Sequence, residues 1–417
     1  PELAPGLSSV EASGRLARAA AEMIENGALE SGSLEALATR VGVTSRHLRR
    51  IFADEFGVSP VEYAQTQRLL LAKRLLTDTA LPVTDVALAS GFRSLRRFNA
   101  LVRARYRMAP SRLRRDAAPR SLPSTMRFEL AYRPPFDWEA LLAFLAPRAI
   151  RGVERVTAET YARTLRLETR GGIGIGWVCV RKAARRHALV LDVSASLARA
   201  IPEVLARARH AFDLACDPAR VAATLGDLAA PCPGLRVPGT FDGFELGVRA
   251  VVGQQVSVAG ASTLLGRLAD AFGIPIDGVA PEGLARCFPT SANIAQCDAE
   301  ALRGIGLTRA RTRTLIDLAH AVEGGRVSLR PGGDVEQTHA ALASIRGIGP
   351  WTTGYIAMRA LGWPDAFLEG DLGVLRALGE TRASRARERS EAWRPWRAYA
   401  VMHLWRRLGE TGDAQPK

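Results

Sequence analysis

Ile345-Arg-Gly-Ile-Gly-Pro-Trp-Thr-Thr-Gly-Tyr355 is the most informative stretch of this 417-residue chain. Its Gly347-Ile-Gly349 segment predicts a tight hairpin, because glycine adopts backbone conformations that other residues resist. Residues 352–361 predict a helix, so the hairpin presents backbone N–H groups at a helix N-terminus. Such a terminus binds a phosphate group without any side-chain charge. The stretch therefore predicts a phosphate-contacting site, and a lone carboxylate follows it at Asp371.

Composition and charge indicate a globular protein with a polyanionic partner. The chain is long enough for two or three domains, each with its own core. Its net charge is +15 and its pI is near 10.6, whereas its hydrophobic content of 47% is ordinary for a soluble protein. No apolar run reaches the roughly 18 residues that a membrane span needs, and no signal peptide is visible. We therefore expect a cytoplasmic protein without a membrane partner.

The cysteines are too scattered to suggest a metal or disulfide framework. No Cys-x-x-Cys pair occurs among the five, which are Cys179, Cys216, Cys232, Cys287 and Cys297. Neither a disulfide framework nor a zinc site is expected in this chain, and a reducing compartment is the default. No cysteine cluster follows the hairpin, which argues against an iron–sulfur cluster.

Changes in sequence pattern divide the chain into three regions. Residues 1–122 have a helical pattern and end in an arginine-rich, proline-punctuated stretch. Residues 123–232 mix helices with strand-like segments, such as Met126-Arg-Phe-Glu-Leu130. A break at Pro231-Cys-Pro-Gly234 opens a third region, residues 233–417, of amphipathic helices. The predicted fold class is therefore mainly α with one α+β subdomain.

The first region contains an internal repeat. Residues 33–48 and residues 85–98 both read as helix, glycine-containing turn and helix. A segment closing in proline follows each unit, at Pro60 and Pro110, and the helical residues 65–76 lie between the units. Two helix-turn-helix units joined by a helix resemble the DNA-binding domain of the AraC family.

That resemblance implies promoter DNA as a partner, with RNA polymerase as a further candidate. In such units the second helix enters the major groove. The matching positions here are Thr44, Ser45, Arg46, Arg49, Arg93, Ser94, Arg96 and Arg97. The simpler alternative for any single arginine is that it only solvates a helix face. For the arginine-rich segment as a whole, DNA contact is favoured.

The remaining two thirds of the chain resemble the AlkA type of 3-methyladenine DNA glycosylase, a helix-hairpin-helix enzyme. Four landmarks occur in the order found in that family. These are Arg133-Pro-Pro-Phe-Asp-Trp138, Phe212-Asp-Leu-Ala-Cys-Asp-Pro218, Gly247-Val-Arg-Ala-Val-Val-Gly-Gln-Gln-Val-Ser-Val258 and Arg394-Pro-Trp-Arg-Ala-Tyr-Ala-Val-Met-His-Leu-Trp405. The resemblance implies a small α+β subdomain followed by an all-α helix-hairpin-helix region. It also implies an enzyme that flips damaged bases out of double-stranded DNA.

The resemblance assigns a catalytic role to Asp371, and the expected chemistry suits a single carboxylate. Alkylation at purine N3 or N7 leaves the base cationic, so it departs without a general acid. A carboxylate can then stabilise the oxocarbenium-like sugar and orient water. The alternative is that Asp371 only caps the helix that begins near Leu372, and the two roles are compatible.

Aromatic side chains are expected to form the base pocket. Trp351, Tyr355 and Trp405 match the pocket positions of the family, and their faces would attract a cationic base. Aromatic residues at helical spacing usually belong to a core, but Trp351 directly follows the hairpin. Relatives that cleave the strand have a lysine at that position, and its amine forms a Schiff base with the sugar. This chain has Trp351 there, so no Schiff base can form at that place. We therefore expect a monofunctional enzyme that leaves an abasic site.

The family pattern assigns three further roles by position. Gln255 matches the residue that fills the vacated base stack, where the best-known form has leucine. Gly347, Ile348 and Gly349 would contact the DNA backbone. The carbonyl groups of Ala343, Ile345 and Gly347 would bind a monovalent cation. No other cofactor is expected for catalysis.

The order of the regions resembles bacterial Ada-type fusions of the adaptive response to alkylation. In those proteins a zinc domain with a methyl-accepting cysteine precedes a segment like Pro1-Glu-Leu3. No such cysteines occur here, consistent with either a missing upstream segment or a genuine loss. We expect a monomeric, nucleoid-associated bacterial protein. Two alternatives stay open: a transcriptional regulator whose glycosylase region is an inactive DNA-binding platform, and a glycosylase of oxidised or deaminated bases.

Overall fold

The computed structural model of the chain describes residues 9–25, 29, 33–78, 81–92, 94–115, 125–169 and 172–410. This part is mainly α-helical with one five-stranded sheet, so the predicted fold class is confirmed. It divides into two compact units. The first contains the residues up to 126, with 167–174 and 193–207, and the second contains residues 127–166, 175–192 and those from 208 onward.

The first unit contains the two predicted helix-turn-helix repeats. Its N-terminal helices are α1 (Ser9–Glu25), α2 (Leu34–Val41), α3 (Ser45–Phe56), α4 (Pro60–Asp78), α5 (Val83–Ala89), α6 (Leu95–Tyr106) and α7 (Pro110–Arg115). Gly42 at φ 81° ends α2, and Gly91 at φ 78° follows α5. Both turns therefore use the left-handed backbone that glycine adopts without strain. The joining helix α4 is longer at both ends than the predicted 65–76.

The α+β region forms a sheet of five strands in the order β1-β5-β4-β3-β2. Its strands are β1 (Thr125–Ala131), β2 (Glu154–Val156), β3 (Thr160–Thr169), β4 (Gly172–Lys182) and β5 (Ala188–Ser194). The strand-like segment 126–130 lies in β1. The sequence does not reveal β4, because Gly172, Gly174 and Gly176 interrupt its alternation of apolar residues.

Thirteen further α-helices follow in the described chain, and the last ten of them build the region that carries the hairpin. They are α8 (Trp138–Leu145), α9 (Ile201–Ala211), α10 (Pro218–Leu225), α11 (Gly243–Val252), α12 (Val258–Phe272), α13 (Ser291–Ala295), α14 (Ala299–Gly304), α15 (Arg309–Glu323), α16 (Val335–Ala343), α17 (Pro350–Arg359), α18 (Leu372–Leu378), α19 (Ala383–Ser390) and α20 (Arg397–Glu410). Short 3-10 helices span Ala146–Arg148, Ala195–Ala200, Gly226–Leu228 and Glu391–Trp393. Ile274–Pro275 and Arg286–Cys287 form a two-stranded antiparallel pair.

Helix α17 is fixed between two hydrophobic clusters of the second unit. Ile356 packs in a cluster with α11 and α15, whereas Ala357 and Met358 pack in a cluster with α20. Tyr355 is partly buried against both clusters. A helix that is packed on two sides leaves little freedom for its N-terminal hairpin.

A buried ionic cluster links the sheet to α11 within the second unit. Arg163 of β3 pairs with Glu245 of α11 at 2.5 Å, and Arg249 pairs with Glu245 at 2.7 Å and also with Glu154. Tyr161 donates its hydroxyl proton to Glu154. Burial alone would raise the pKa of Glu154, but Arg249 and Arg163 beside it lower that pKa to about 2. We refer to these five residues as the ionic cluster.

Candidate active site and DNA-contacting surfaces

Asp371 lies at the N-cap of α18, and its carboxylate accepts three hydrogen bonds. Its Oδ1 accepts from the Val374 N–H at 2.9 Å and from the Trp405 indole N–H at 2.8 Å. Its Oδ2 accepts from the Trp351 indole N–H at 2.8 Å. The cap anticipated from the sequence is thus present together with two indole contacts. These fix the position of both carboxylate oxygens and leave the half-buried carboxylate partly open.

The three predicted pocket aromatics lie together beside Asp371. Trp351 and Tyr355 are four residues apart on α17, and their rings stack at a centroid distance of 5.1 Å. The Trp405 ring centroid lies 6.5 Å from that of Tyr355. Each of the three side chains is partly buried. The three rings therefore provide an aromatic surface for a flat base next to the carboxylate.

Three residues that the sequence did not single out complete this group. Phe144 of α8 stacks on Trp405 at a centroid distance of 6.2 Å. The Arg148 guanidinium lies 3.9 Å from the Phe144 ring centroid. Arg359 donates to the Tyr355 hydroxyl oxygen. The i, i+4, i+8 spacing of Trp351, Tyr355 and Arg359 could have indicated Arg359, but no sequence signal connects Phe144 or Arg148 to residues two hundred positions away.

The hairpin has the geometry that its glycines predict. Gly347 has φ 91°, and Gly349 is the N-cap of α17 without a side-chain hydrogen bond to the helix. In the described part of the chain, the N–H groups of Gly347 and Gly349 have no hydrogen-bond acceptor. Both glycines are exposed. Ile348 differs from them, because its side chain is buried and its N–H donates to the Ile345 carbonyl at 3.1 Å.

The loop after α11 presents Gln255 and ties the neighbouring Gln254 to the hairpin. Gln255 is exposed and has φ 54°, a left-handed conformation that is uncommon for a non-glycine residue. The Gln254 amide donates to the Gly347 carbonyl and to the Thr352 hydroxyl, both at 2.9 Å. Arg311 donates to the Gln254 carbonyl. The sequence analysis singled out Gln255 as a candidate and did not predict that Gln254 connects this loop to the hairpin.

The positions predicted to contact promoter DNA lie at the starts of α3 and α6. Thr44 and Ser94 are the N-caps of these helices, so each hydroxyl already accepts a backbone hydrogen bond. Ser45 is half-buried, and the exposed arginines of this set are Arg46, Arg49, Arg96 and Arg97. Arg93 lies outside the described residues.

Two of the three carbonyl groups expected to bind a monovalent cation already accept hydrogen bonds. The Ile345 carbonyl accepts from the Ile348 N–H, and the Gly347 carbonyl accepts from Gln254. Across the described ranges, no group of three or more His, Cys, Asp or Glu side chains is arranged to hold a metal ion. Within the same ranges, no helix is long and apolar enough to cross a bilayer.

Three family models match the chain in succession. The helix-turn-helix domain matches residues 37–116, the AlkA N-terminal domain matches residues 127–242, and the HhH-GPD superfamily of base excision DNA repair proteins matches residues 248–397.

One relative spans nearly the whole chain, and a second relative and a solved structure span about two thirds of it. A probable bifunctional transcriptional activator/DNA repair enzyme AlkA of Mycobacterium tuberculosis is 37% identical over 98% of this chain and 83% of its own length. DNA-3-methyladenine glycosylase 2 of Escherichia coli is 40% identical over 67% of this chain and 96% of its own length. A 3-methyladenine DNA-glycosylase structure from Archaeoglobus fulgidus shares the fold, with a TM-score of 0.55 at 22% identity, and the match covers 69% of this chain and 99% of that one. The chain therefore belongs to the AlkA family of DNA glycosylases, in the form in which an AraC-type helix-turn-helix domain precedes the glycosylase.

Proposed function

We propose that this protein excises alkylated purines from double-stranded DNA and that Asp371 is its catalytic residue. The observation that carries the proposal is the Asp371 carboxylate, held by the indole N–H groups of Trp351 and Trp405 beside an aromatic surface. No lysine stands at position 351, so the enzyme hydrolyses the glycosidic bond without cleaving the strand.

The proposed reaction breaks the bond between the sugar C1′ and the base nitrogen. The bonding electron pair goes to the base, so a cationic base departs neutral. Positive charge develops on the sugar, where the Asp371 carboxylate stabilises it. A water oxygen then bonds to C1′ and loses a proton, which leaves an abasic site. The aromatic faces of Trp351, Tyr355 and Trp405 hold the flipped base.

The experiment that tests this function is the release of free bases from methylated duplex DNA. The purified chain is incubated with the DNA, and the released bases are separated by chromatography. Release of 3-methyladenine is the expected result. Tight DNA binding without any release would instead favour the regulator with an inactive platform. Release of 8-oxoguanine without alkylated bases would favour a glycosylase of oxidised bases.

Trp405→Phe should slow base release by about tenfold, because a charge-assisted hydrogen bond to Asp371 is lost while an aromatic ring stays. The measurement is the single-turnover rate on DNA containing an alkylated purine. Trp396→Phe provides the control, since Trp396 packs in the same cluster as Trp405 and has no hydrogen bond to Asp371. Equal rates for the two variants would contradict a role for the Trp405 N–H.

We further propose that the exposed hairpin N–H groups contact a DNA phosphate and that Gln255 occupies the space left by the flipped nucleotide. The exposed, left-handed Gln255 is held next to the hairpin through Gln254, which supports this assignment. A monovalent cation at the carbonyls of Ala343, Ile345 and Gly347 stays part of the proposal. The Gly347 carbonyl keeps a second lone pair for a cation beside the one that accepts from Gln254.

The N-terminal region, which we assign to residues 1–122, is proposed to read a promoter through α3 and α6. The other proposed boundaries are 123–232 for the α+β subdomain and 233–417 for the helix-hairpin-helix domain. We also propose that the protein is a nucleoid-associated monomer in the bacterial cytoplasm and that it contacts RNA polymerase at its promoters. Sedimentation of the free protein tests the monomer, and co-purification with polymerase on promoter DNA tests the contact.

Arg46→Ala should weaken promoter binding by about tenfold and leave base release unchanged, because Arg46 is exposed at the start of α3. Arg105→Ala is the matched control, since Arg105 is exposed near the C-terminal end of α6. Affinity is measured by fluorescence anisotropy at one fixed salt concentration. An equal loss for both variants would indicate only non-specific electrostatic binding.

A further inference from the structure

Arg359 is a buried guanidinium without a carboxylate partner among the described residues. Its side chain is almost entirely enclosed, with 5% of the residue exposed. Nε donates to the Pro238 carbonyl at 2.7 Å, and Nη2 donates to the Gly239 carbonyl at 3.1 Å. The remaining Nη1 donates to the hydroxyl oxygen of Tyr355. The three groups that accept these hydrogen bonds are neutral, and one of them, the Tyr355 hydroxyl, belongs to the base pocket.

A second guanidinium strengthens the positive charge on this side of the pocket. Arg148 donates to the Phe144 carbonyl at 2.8 Å, and in the described chain it forms no ion pair. The Phe144 ring lies beneath both guanidinium groups, 3.9 Å from the Cζ of Arg148 and 5.2 Å from the Cζ of Arg359. Burial raises the pKa of Tyr355, but the charges of Arg359 and Arg148 outweigh it and place that pKa below its ordinary value. Negative charge near the Tyr355 hydroxyl is thus stabilised.

A carboxylate is connected to Arg359 through the pocket aromatics. Trp351 stacks on Tyr355 and donates its indole proton to Asp371, so a continuous chain of contacts runs from Arg359 to the catalytic carboxylate. A base seated on this aromatic surface has a positive group on one side and a negative group near its sugar. Fixed charges of this kind act strongly because the surrounding protein excludes water.

We propose that Arg359, acting through the Tyr355 hydroxyl, is a positioning residue that extends the substrate range to purines that are neutral in DNA. This rests on the proposed function. When the glycosidic bond of a neutral purine breaks, the electron pair leaves a negative charge on the base until water supplies a proton. Arg359 stabilises that charge. A cationic alkylpurine departs neutral, so it gains much less from Arg359.

The test compares two lesions in the same duplex, 7-methylguanine as the cationic base and hypoxanthine as the neutral one. Single-turnover release is measured for wild type, Arg359→Met, Arg359→Lys and Tyr355→Phe, and for the double variant Tyr355→Phe/Arg359→Met. Arg359→Met should slow the release of hypoxanthine about tenfold more than that of 7-methylguanine, the size expected for one hydrogen bond to a charged group. Arg359→Lys should recover most of this difference because it keeps the charge. In the Tyr355→Phe background, Arg359→Met should change both rates equally.

A matched control separates this effect from loss of structure. Arg236 is also buried, at 1% exposed, donates to the carbonyls of Arg133 and Pro135 at 2.8 and 2.9 Å, and lies 5.0 Å from the Phe136 ring centroid. Arg236→Met should therefore change the release rates of the two lesions by the same factor, whatever its effect on the stability of the protein.

Equal slowing of both lesions in Arg359→Met, or a lesion difference that persists in the Tyr355→Phe background, would overturn the inference while the proposed function stands. Wild type that releases 7-methylguanine but not hypoxanthine would overturn it as well. Wild type that releases neither lesion would overturn the proposed function together with the inference. If Arg359→Met does not fold, the variants Arg359→Lys and Tyr355→Phe decide the question. An effect that acts through the hydroxyl requires that Tyr355→Phe alone slows the release of hypoxanthine more than the release of 7-methylguanine.

Discussion

Asp371→Asn is expected to reduce base release by at least about a hundredfold while DNA binding is retained. Asparagine keeps Oδ1, which can still accept from the Val374 N–H and preserve the cap of α18. The substituted amide cannot accept a hydrogen bond at the position of Oδ2, so the Trp351 indole N–H loses its partner. The negative charge beside the sugar disappears as well. Single-turnover base release and the affinity for DNA are the two measurements.

Asp334→Asn is the matched control for that prediction. Asp334 is the N-cap of α16 and accepts from the Gln337 N–H at 2.9 Å, the same distance as in the Asp371 cap. The control should release bases at the wild-type rate. If Asp371→Asn also released bases at that rate, Asp371 would be only a helix cap and the catalytic assignment would be wrong.

Gly347→Ala is expected to weaken DNA binding by about tenfold and to lower the free energy of unfolding by about 1–3 kcal/mol. The backbone at Gly347 has φ 91°, which L-residues rarely adopt. An added Cβ would lie 2.3 Å from Thr314 Oγ1, and that hydroxyl donates to the Arg346 carbonyl within the hairpin. The hairpin must therefore shift, and its exposed N–H groups move with it. Affinity for duplex DNA and chemical denaturation provide the measurements.

Gly349→Ala tests whether the cause is the conformation of the hairpin. Gly349 has φ −97° and ψ 178°, and no atom lies within 4 Å of the Cβ that alanine would add. The same substitution two residues away should leave the free energy of unfolding unchanged. Equal stability losses at the two positions would show that the positive φ and the Thr314 contact are not what makes Gly347 necessary.

The sequence predicted the parts of the site that a short, continuous motif specifies. The hairpin glycines, Trp351 and Tyr355 lie within one stretch of eleven residues, and Asp371 follows at a spacing typical of the family. Local backbone rules then determine most of their geometry, including the stack of residues four apart on a helix. The same holds for the two helix-turn-helix units, whose turns depend on Gly42 and Gly91.

The rest of the pocket depends on long-range packing that no local pattern encodes. Phe144 and Arg148 are separated from Tyr355 by about two hundred residues of chain, and only the folded second unit brings them together. Gln254 and Gln255 are neighbours of the same residue type, and the sequence alone cannot tell which one is anchored to the hairpin. In the folded protein, Gln255 has a left-handed backbone and is exposed, whereas the Gln254 side chain bonds to the hairpin. Burial and backbone conformation, which are properties of the whole fold, thus determine the roles of these residues.

The ionic cluster limits where the chain of this enzyme can be cut into separate domains. Glu154, Tyr161 and Arg163 come from the α+β region, whereas Glu245 and Arg249 come from the region that follows the break near residue 232. A cut at that break would remove the Arg163–Glu245 and Arg249–Glu154 pairs, which join the two regions, from both fragments. The two regions should therefore unfold in one cooperative transition. Natural recombination and protein engineering can be expected to move them together, as one inseparable module, whatever DNA-binding domain is attached in front.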